Sequence, residues 1–228
     1  MIHEPDAVHA LRDLADWQVM DADSHMIGKV DDLLFVARTD GDPVLTSILV
    51  GGVAYAKRFG GAWTRAFDFL SRRLGEHGEP LDLPVTLVER RASDLRVGAE
   101  REALGRYRGR ADRPGELCLS DLVGAELIGA GDRPCGRVAD LWLAGPAGSL
   151  ADLRLHGLIV GGGAVGDRLG FERARGPVGP VGLRGLFAWL GRHTRFLPWH
   201  DVTVVEPRAV RTHRAPDELR PLSEVEPG

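Results

Sequence analysis

An internal repeat constrains the fold of this chain more than any other feature of its sequence. Residues 19–35 align with residues 127–143 when Gly28 is placed on Gly136. The aligned pairs of similar type are Lys29 with Arg137, Val30 with Val138, Asp32 with Asp140, and Leu33 with Leu141. Three further blocks recur in the same order: 48–52 with 158–162, 69–75 with 186–191, and 83–88 with 197–202. Four blocks in series predict two copies of one structural unit.

Each copy has the same predicted order of elements. A polar turn precedes a glycine and an alternating strand, and a second strand ends in a run of glycines. Apolar residues at helical spacing, within 63–74 and within 183–190, predict one short helix in each copy. A Leu-Pro pair then leads into a valine-rich strand, because proline is tolerated at the head of a strand. The pattern therefore predicts a mainly β chain, with glycines at the sharp bends of a small barrel.

The repeated motif resembles the PRC-barrel family, small β-barrels found in the H subunit of photosynthetic reaction centres and in the ribosome-maturation factor RimM. The resemblance is carried by Ile-Gly-Lys-Val-Asp-Asp-Leu at 27–33, Cys-Gly-Arg-Val-Ala-Asp-Leu at 135–141 and Leu-Pro-Trp-His-Asp-Val at 197–202. The residues of the barrel motif are Gly28, Val30, Asp32, Leu33, Pro84, Gly136, Val138, Asp140, Leu141, Pro198 and Trp199. The first copy has Val85 where the second has Trp199. The resemblance implies two tandem barrels that bind other macromolecules and carry no catalytic residues of their own.

The predicted domains follow from this alignment. We expect an N-terminal extension at 1–13, a first barrel at 14–97, an Arg-rich linker at 98–115, a second barrel at 116–208 and a flexible tail at 209–228. The chain after residue 206 contains four prolines and no apolar periodicity, which is typical of a mobile terminus. Because a small barrel buries little apolar surface on its own, we expect the two barrels to pack as a pseudo-dimer.

Composition excludes several classes of protein. A hydrophobic share of 43% argues against a disordered chain, and a net charge of −4 argues against a strong nucleic-acid binder. No apolar run approaches the roughly 20 residues of a membrane-spanning helix, and the first residues do not match a signal peptide. The sequence therefore predicts a cytoplasmic protein. Its two cysteines, Cys118 and Cys135, are expected to be reduced thiols.

The strongest enzyme signal is a G-x-G-x-x-G run at 161–166, which follows a predicted strand. Two glycines and a proline follow within 170–177, so no helix can continue as a dinucleotide site requires. We interpret the run as a barrel corner.

Other chemistry is weakly supported by the sequence. No two of the eight histidines have the i, i+4 spacing of a helical metal site, and neither cysteine has an evident base. Asp31, Asp32 and Asp140 are candidates for an acid–base pair, but Asp31 and Asp32 are neighbours on a strand and point to opposite faces, so they do not converge. We expect these carboxylates to accept backbone N–H bonds. The sequence thus predicts no catalytic residue, no metal site and no cofactor.

Function is predicted as that of a non-catalytic adaptor that binds a protein partner or forms a homo-oligomer. The candidate interaction surface consists of large apolar and basic residues, namely Trp63, Phe67, Arg72, Arg73, Arg106, Tyr107, Arg108, Phe187 and Trp189. A ribosome- or RNA-associated factor acting through the basic linker is the alternative, and a nucleotide-binding enzyme using 161–166 is the third reading. Arginines on the first helix leave peripheral membrane contact open.

Overall fold

The computed structural model describes residues 7–39, 41–51, 79–91, 94–109, 115–146, 149–161 and 194–225. These residues form a mainly β structure. Both predicted helices and most of the 161–166 glycine run lie outside the described residues, together with Trp63, Phe67, Arg72, Arg73, Phe187 and Trp189. Within the described part of the chain, no helix combines the length and the hydropathy that crossing a membrane requires.

The described residues contain sixteen strands. The first eight are β1 (Ala7–His9), β2 (Gln18–Met20), β3 (Met26–Val36), β4 (Val44–Val50), β5 (Leu81–Pro84), β6 (Val88–Arg90), β7 (Leu95–Val97) and β8 (Gly105–Arg106). The others are β9 (Glu116–Cys118), β10 (Glu126–Ile128), β11 (Pro134–Ala144), β12 (Arg154–Val160), β13 (Arg195–Pro198), β14 (Val202–Glu206), β15 (Ala209–Thr212) and β16 (Arg220–Pro221).

Helical structure is limited to single turns in the described residues. Ala10–Leu14 forms a π-helical turn, and α1 (Leu119–Leu122) is a short α-helix. The 3-10 turns are Val85–Leu87, Arg101–Ala103, Ala130–Asp132, Trp199–Asp201, Pro216–Glu218 and Leu222–Glu224.

The chain divides into two compact units. The first unit comprises Leu14–Ser120 and Gly145–Arg154. The second unit comprises Met1–Asp13, Asp121–Ala144 and Leu155–Gly228.

The strands of the first unit pair in a mixed pattern. Strand β2 pairs antiparallel with β3 and parallel with β7, so that Val19 lies opposite both Gly28 and Leu95. Strand β3 pairs with β4, and β4 pairs with β5, where Ile48 lies opposite Leu83. The β6–β7 and β5–β8 pairs complete this set.

The second unit repeats the same strand order and register. Strand β10 pairs antiparallel with β11 and parallel with β15, so that Leu127 lies opposite both Gly136 and Val210. Strand β11 neighbours β12, and Leu158 of β12 lies opposite Leu197 of β13. The β14–β15 and β13–β16 pairs complete the set. The repeated blocks that the structure describes therefore occupy equivalent strand pairs, whereas the block 69–75 with 186–191 lies outside the described residues.

Each unit also contains one strand from the opposite half of the sequence. In the first unit β9 pairs antiparallel with β3, placing Cys118 opposite Leu34. In the second unit β1 pairs antiparallel with β11, placing Val8 opposite Leu143. The segment predicted as an N-terminal extension thus supplies β1, and each half of the sequence contributes its leading strand to the unit built from the other half.

Segments predicted as linker and tail also contribute strands. Strand β8, within the predicted linker, pairs antiparallel with β5. Strands β15 and β16 lie within the predicted flexible tail, where Val210 is fully buried. A strand of two to four residues is too short to produce a recognisable alternation in the sequence.

The core of each unit is centred on its long strand. All six residues 30–35 of β3 are buried, although the sequence predicted an alternating strand here. In β11, residues 138–144 are buried in the same way. Pairing on both edges, together with apolar contacts on both faces, explains why the alternation of a half-exposed strand is not seen.

Candidate functional site

The repeated aspartate of the motif bonds to a helical turn at the start of the opposite half of the chain. Asp32 Oδ1 accepts a hydrogen bond from the backbone N–H of Ser120 at 3.0 Å, and another from the next residue in its own strand at 2.9 Å. Asp140 Oδ1 accepts the equivalent bonds from Leu11 at 2.8 Å and from its own neighbour at 2.7 Å. Ser120 and Leu11 are each the second residue of their turn, where backbone N–H groups lack partners within the helix. Both carboxylates therefore stabilise the fold.

The repeated glycine of the motif allows a close approach between two strands. Gly28 has a φ of 152°, and a Cβ atom added to it would lie 2.6 Å from Cγ1 of Val50. Gly136 has a φ of 122°, and its added Cβ would lie 3.1 Å from Cγ1 of Val160. Both the backbone conformation and the space favour glycine at these positions.

The other motif residues also serve the fold. Val30, Leu33, Val138 and Leu141 are 0–1% exposed and belong to the core. Pro84 and Pro198 are the last residues of β5 and β13, and each precedes a 3-10 turn. The sequence predicted these prolines at the head of the valine-rich strand. In the structure a 3-10 turn separates each Leu-Pro pair from that strand. Trp199 begins the second turn and is half-buried.

An open groove lies in the first unit, beside the β6–β7 hairpin. Its volume is about 580 Å³. The residues that line it include Val85, Leu87, Val88, Arg96, Val97 and Leu150, and we call it the Arg96 groove. Leu87 is 48% exposed although it lines this groove, whereas Val85, Val97 and Leu150 are buried. The groove therefore combines an apolar wall with one guanidinium group.

Arg96 has an equivalent in the second unit, and the two arginines differ in their partners. Arg211 Nη1 bonds to Asp132 Oδ1 at 2.7 Å, and its Nε lies 3.5 Å from Glu206 Oε1. These carboxylates, with the bond to Asp132 as the larger cause, raise the pKa of Arg211. Among the described residues Arg96 Nη2 bonds only to the hydroxyl of Ser24, and its Nε is buried without a hydrogen-bond partner. Ser24 occupies the position of Asp132 in the aligned repeat, so the first unit lacks that carboxylate.

The two units also differ in the residue at the position of Leu87. Asp201 is the equivalent third residue of the 3-10 turn, and its side chain is 6% exposed. Its Oδ2 lies 2.9 Å from Nε of Arg214, and its Oδ1 lies 3.3 Å from Nε2 of His213. The pKa of Arg214 is raised, mainly by the hydrogen bond to Asp201. An ion pair thus occupies the position where the first unit exposes a leucine.

Of the predicted interaction surface, the structure describes Arg106, Tyr107 and Arg108. The Tyr107 hydroxyl donates to Glu116 Oε2 at 2.9 Å, and its ring packs on the buried cluster of Leu34, Leu49 and Cys118. Burial, and then this hydrogen bond, raise the pKa of Tyr107. Arg106 donates to the backbone oxygen of Glu79 at 2.7 Å, and Arg108 is exposed. Tyr107 is therefore half-buried and bonded, which is not the open stacking ring that RNA binding needs.

Cys135 does not have the environment of an activated thiol. Cys118 is buried, and Cys135 is half-buried. Burial raises the pKa of Cys135, and the nearby Arg133 offsets this only in part. Within the described ranges, no three His, Cys, Asp or Glu side chains are grouped so that they could hold a metal ion.

Leu87 and Arg96 are not among the motif residues that the two copies share. The repeat nevertheless contains the sequence difference that marks this site, because an alignment of the copies places Ser24, the partner of Arg96, on Asp132 and places Leu87 on Asp201. Each pair replaces a carboxylate of the second copy by an uncharged residue in the first. In comparisons with known proteins, the chain matches no family model and no curated protein.

Proposed function

We propose that this chain is a non-catalytic adaptor, built from two PRC-barrel-like domains packed as a pseudo-dimer, that binds a protein partner. The repeated strand order supports the duplication, and the equivalent roles of Gly28 and Gly136 support the family resemblance. Its cytoplasmic location is part of this proposal and rests on the sequence alone.

The chemistry of the described residues supports binding more than catalysis. The carboxylates that were candidates for acid–base work, Asp32 and Asp140, accept backbone N–H bonds in the interior. The half-buried Cys135 has a raised pKa, which disfavours the thiolate that a nucleophile needs.

The observation that carries the proposal is the exposure of Leu87 in the Arg96 groove. Leu87 is one of four large apolar residues that are strongly exposed among the described residues, and it lies beside other apolar side chains that line the same groove. Apolar surface grouped in a concave site is typical of a protein contact. The equivalent turn of the second unit contains the ion-paired Asp201, so exposure of a leucine is specific to the first unit.

Affinity capture with the full chain tests this proposal. The bait proteins are the wild type, Leu87→Asp in the groove, and Val204→Asp, an equally exposed apolar residue of the second unit. We expect the wild type and the Val204 variant to retain the same protein at low and high salt, and the Leu87 variant to lose it. Co-sedimentation with ribosomes that fades as salt rises would instead support the RNA-associated alternative. Thermal stabilisation of the protein by a nucleotide would support the third reading, a nucleotide-binding enzyme.

A further inference from the structure

We infer that the Arg96 groove binds an extended segment of a partner protein that places an apolar side chain against Leu87 and a carboxylate on Arg96. This inference rests on the proposed function, because it names the chemistry of the segment that such an adaptor would recognise.

The apolar part of the inference follows from the walls of the groove. Val85, Val97 and Leu150 are at most 5% exposed and form a fixed surface, whereas Leu87 is 48% exposed at the same groove. Burial of Leu87 by a partner would remove its apolar surface from water, which is favourable in proportion to the area covered. A groove of about 580 Å³ that is open to solvent has room for a few side chains of an extended segment.

The charged part follows from the comparison of the two units. Arg211 is bonded to Asp132 and lies close to Glu206, so two carboxylates of the second unit compensate its charge. Arg96 stands at the equivalent position of β7, yet its described partner is the neutral hydroxyl of Ser24. The Nε of Arg96 is buried without a hydrogen bond to any described residue. Because no described carboxylate forms an ion pair with it, the half-buried guanidinium of Arg96 is expected to bind an anion more strongly than the compensated Arg211.

The charged and apolar groups around Arg96 favour a carboxylate that belongs to a protein segment. Glu89 also lines the groove and lies opposite Arg96 in the β6–β7 pair, but the structure shows no ion pair between these two described residues. The Oε2 atom of Glu89 lies instead 3.2 Å from Nη2 of Arg91. The geometry of arginine favours planar carboxylates, which accept two parallel N–H bonds. The apolar wall beside Arg96 then requires that the carboxylate be attached to apolar groups, as in an acidic residue flanked by large aliphatic ones.

The repeat provides a substitution that removes the unpaired charge without removing the arginine. Ser24→Asp introduces the residue that Asp132 provides in the second unit. Both positions have a positive φ, 68° and 56°, and aspartate tolerates this conformation better than most residues. The variant is therefore expected to fold and to neutralise Arg96 within the chain.

The test uses random peptides displayed on phage and selected on the immobilised full-length protein. A labelled copy of the selected peptide is then titrated by fluorescence anisotropy against the wild type, Arg96→Gln, Ser24→Asp and the matched control Arg211→Gln. We expect selected peptides to combine Asp or Glu with large aliphatic residues. We expect Arg96→Gln and Ser24→Asp each to weaken binding about tenfold or more, and Arg211→Gln to leave it unchanged.

Several outcomes would overturn the inference. Selection of no peptide, selection of peptides without an acidic residue, or equal binding by Arg96→Gln and the wild type would each do so. A concentration-dependent dimer that Ser24→Asp dissociates would identify the occupant as a second copy of the chain. If affinity capture of a protein depends on Leu87 but not on Arg96 or Ser24, the adaptor function stands and the acidic segment is rejected.

Discussion

The carboxylate of Asp32 and the backbone N–H of Ser120 are joined by a 3.0 Å hydrogen bond across 88 residues of sequence. The bond between Asp140 and Leu11, at 2.8 Å and across 129 residues, repeats it in the second unit. In each case the aspartate belongs to a long central strand, and its donor lies in the helical turn that follows a strand from the opposite half of the chain. The motif aspartate thus helps to hold the leading segment in place.

Replacement of either aspartate is expected to destabilise the protein. Asp32→Ala removes the acceptor of the buried N–H of Leu33 and of the part-buried N–H of Ser120, and we expect the free energy of unfolding to fall by about 2–4 kcal/mol. Asp140→Ala should have a similar effect, because its two bonds are equivalent. Urea unfolding at neutral pH measures both changes. Asp217→Ala is the control, because its side chain is 83% exposed and it should change stability by less than about 0.5 kcal/mol. Losses below about 1 kcal/mol for both buried sites would contradict this role.

The motif glycine offers a second prediction. Gly28→Ala combines a left-handed backbone with a Cβ only 2.6 Å from Val50, so we expect it to lower the free energy of unfolding by about 2–4 kcal/mol. Gly41→Ala is the matched control, because Gly41 has a φ of 132° and nothing within 4 Å of its added Cβ. This variant should show the backbone cost alone, about 1 kcal/mol. Equal losses in the two variants would show that the approach to Val50 is not tight.

Much of the fold could be predicted from the sequence because its strongest feature, the internal repeat, relates segments that are far apart in the chain. The alignment of Gly28 with Gly136 correctly matched strand pairs, since a duplicated unit keeps its register when its apolar residues and turns are kept. The expectation that motif aspartates accept backbone N–H bonds is confirmed at Asp32 and Asp140. Which N–H groups they would bind could not be predicted, because the donors lie far away in the chain and carry no side-chain signal.

The candidate site was not found from the sequence, for a physical reason. The residues that the two copies share, such as Gly28, Asp32, Gly136 and Asp140, serve the fold. Arg96 differs from Arg211 in the partner of its guanidinium group, because Ser24 stands where the second copy has Asp132. This partner can be identified only when the pairing of β2 with β7 is known. Short strands such as β1 and β8 were missed because pairing with a distant strand, and not local periodicity, stabilises them.

The burial of Tyr107, together with its hydrogen bond to Glu116, predicts that Tyr107→Phe and the wild type differ in the pH dependence of their stability. Because the folded state raises the pKa of Tyr107 above its ordinary value near 10, the phenol stays protonated in the folded protein after it has ionised in the unfolded one. Its contribution to stability is therefore complete below about pH 10 and is lost as pH rises further. Tyr107→Phe should be about 1 kcal/mol less stable than the wild type at pH 7. Chemical unfolding of both proteins from pH 7 to 11 should show the difference narrowing above about pH 10. A difference that stays constant or widens would contradict the raised pKa of Tyr107 in the folded protein.

The exchange of leading strands makes a prediction about the chain as a whole. If a protease site is inserted after Gly109 and cleaved, β9 remains with the C-terminal fragment although it pairs with β3 of the N-terminal fragment. In the same way β1 stays with the N-terminal fragment although it pairs with β11. Each fragment therefore lacks a strand that its own long strand requires on one edge, and an unpaired edge of this kind leaves backbone groups and apolar surface uncovered.

We expect the cleaved fragments to stay together as one species on size-exclusion chromatography, and each fragment produced alone to aggregate or to unfold. Mixing the two unfolded fragments and removing the denaturant should restore the far-UV circular dichroism of the intact chain. Cleavage combined with Asp32→Ala should weaken the association, because the bond to Ser120 then no longer joins the two fragments. Two soluble, folded monomers that separate after cleavage would show that β1 and β9 are dispensable, and that each half of the sequence forms its unit alone.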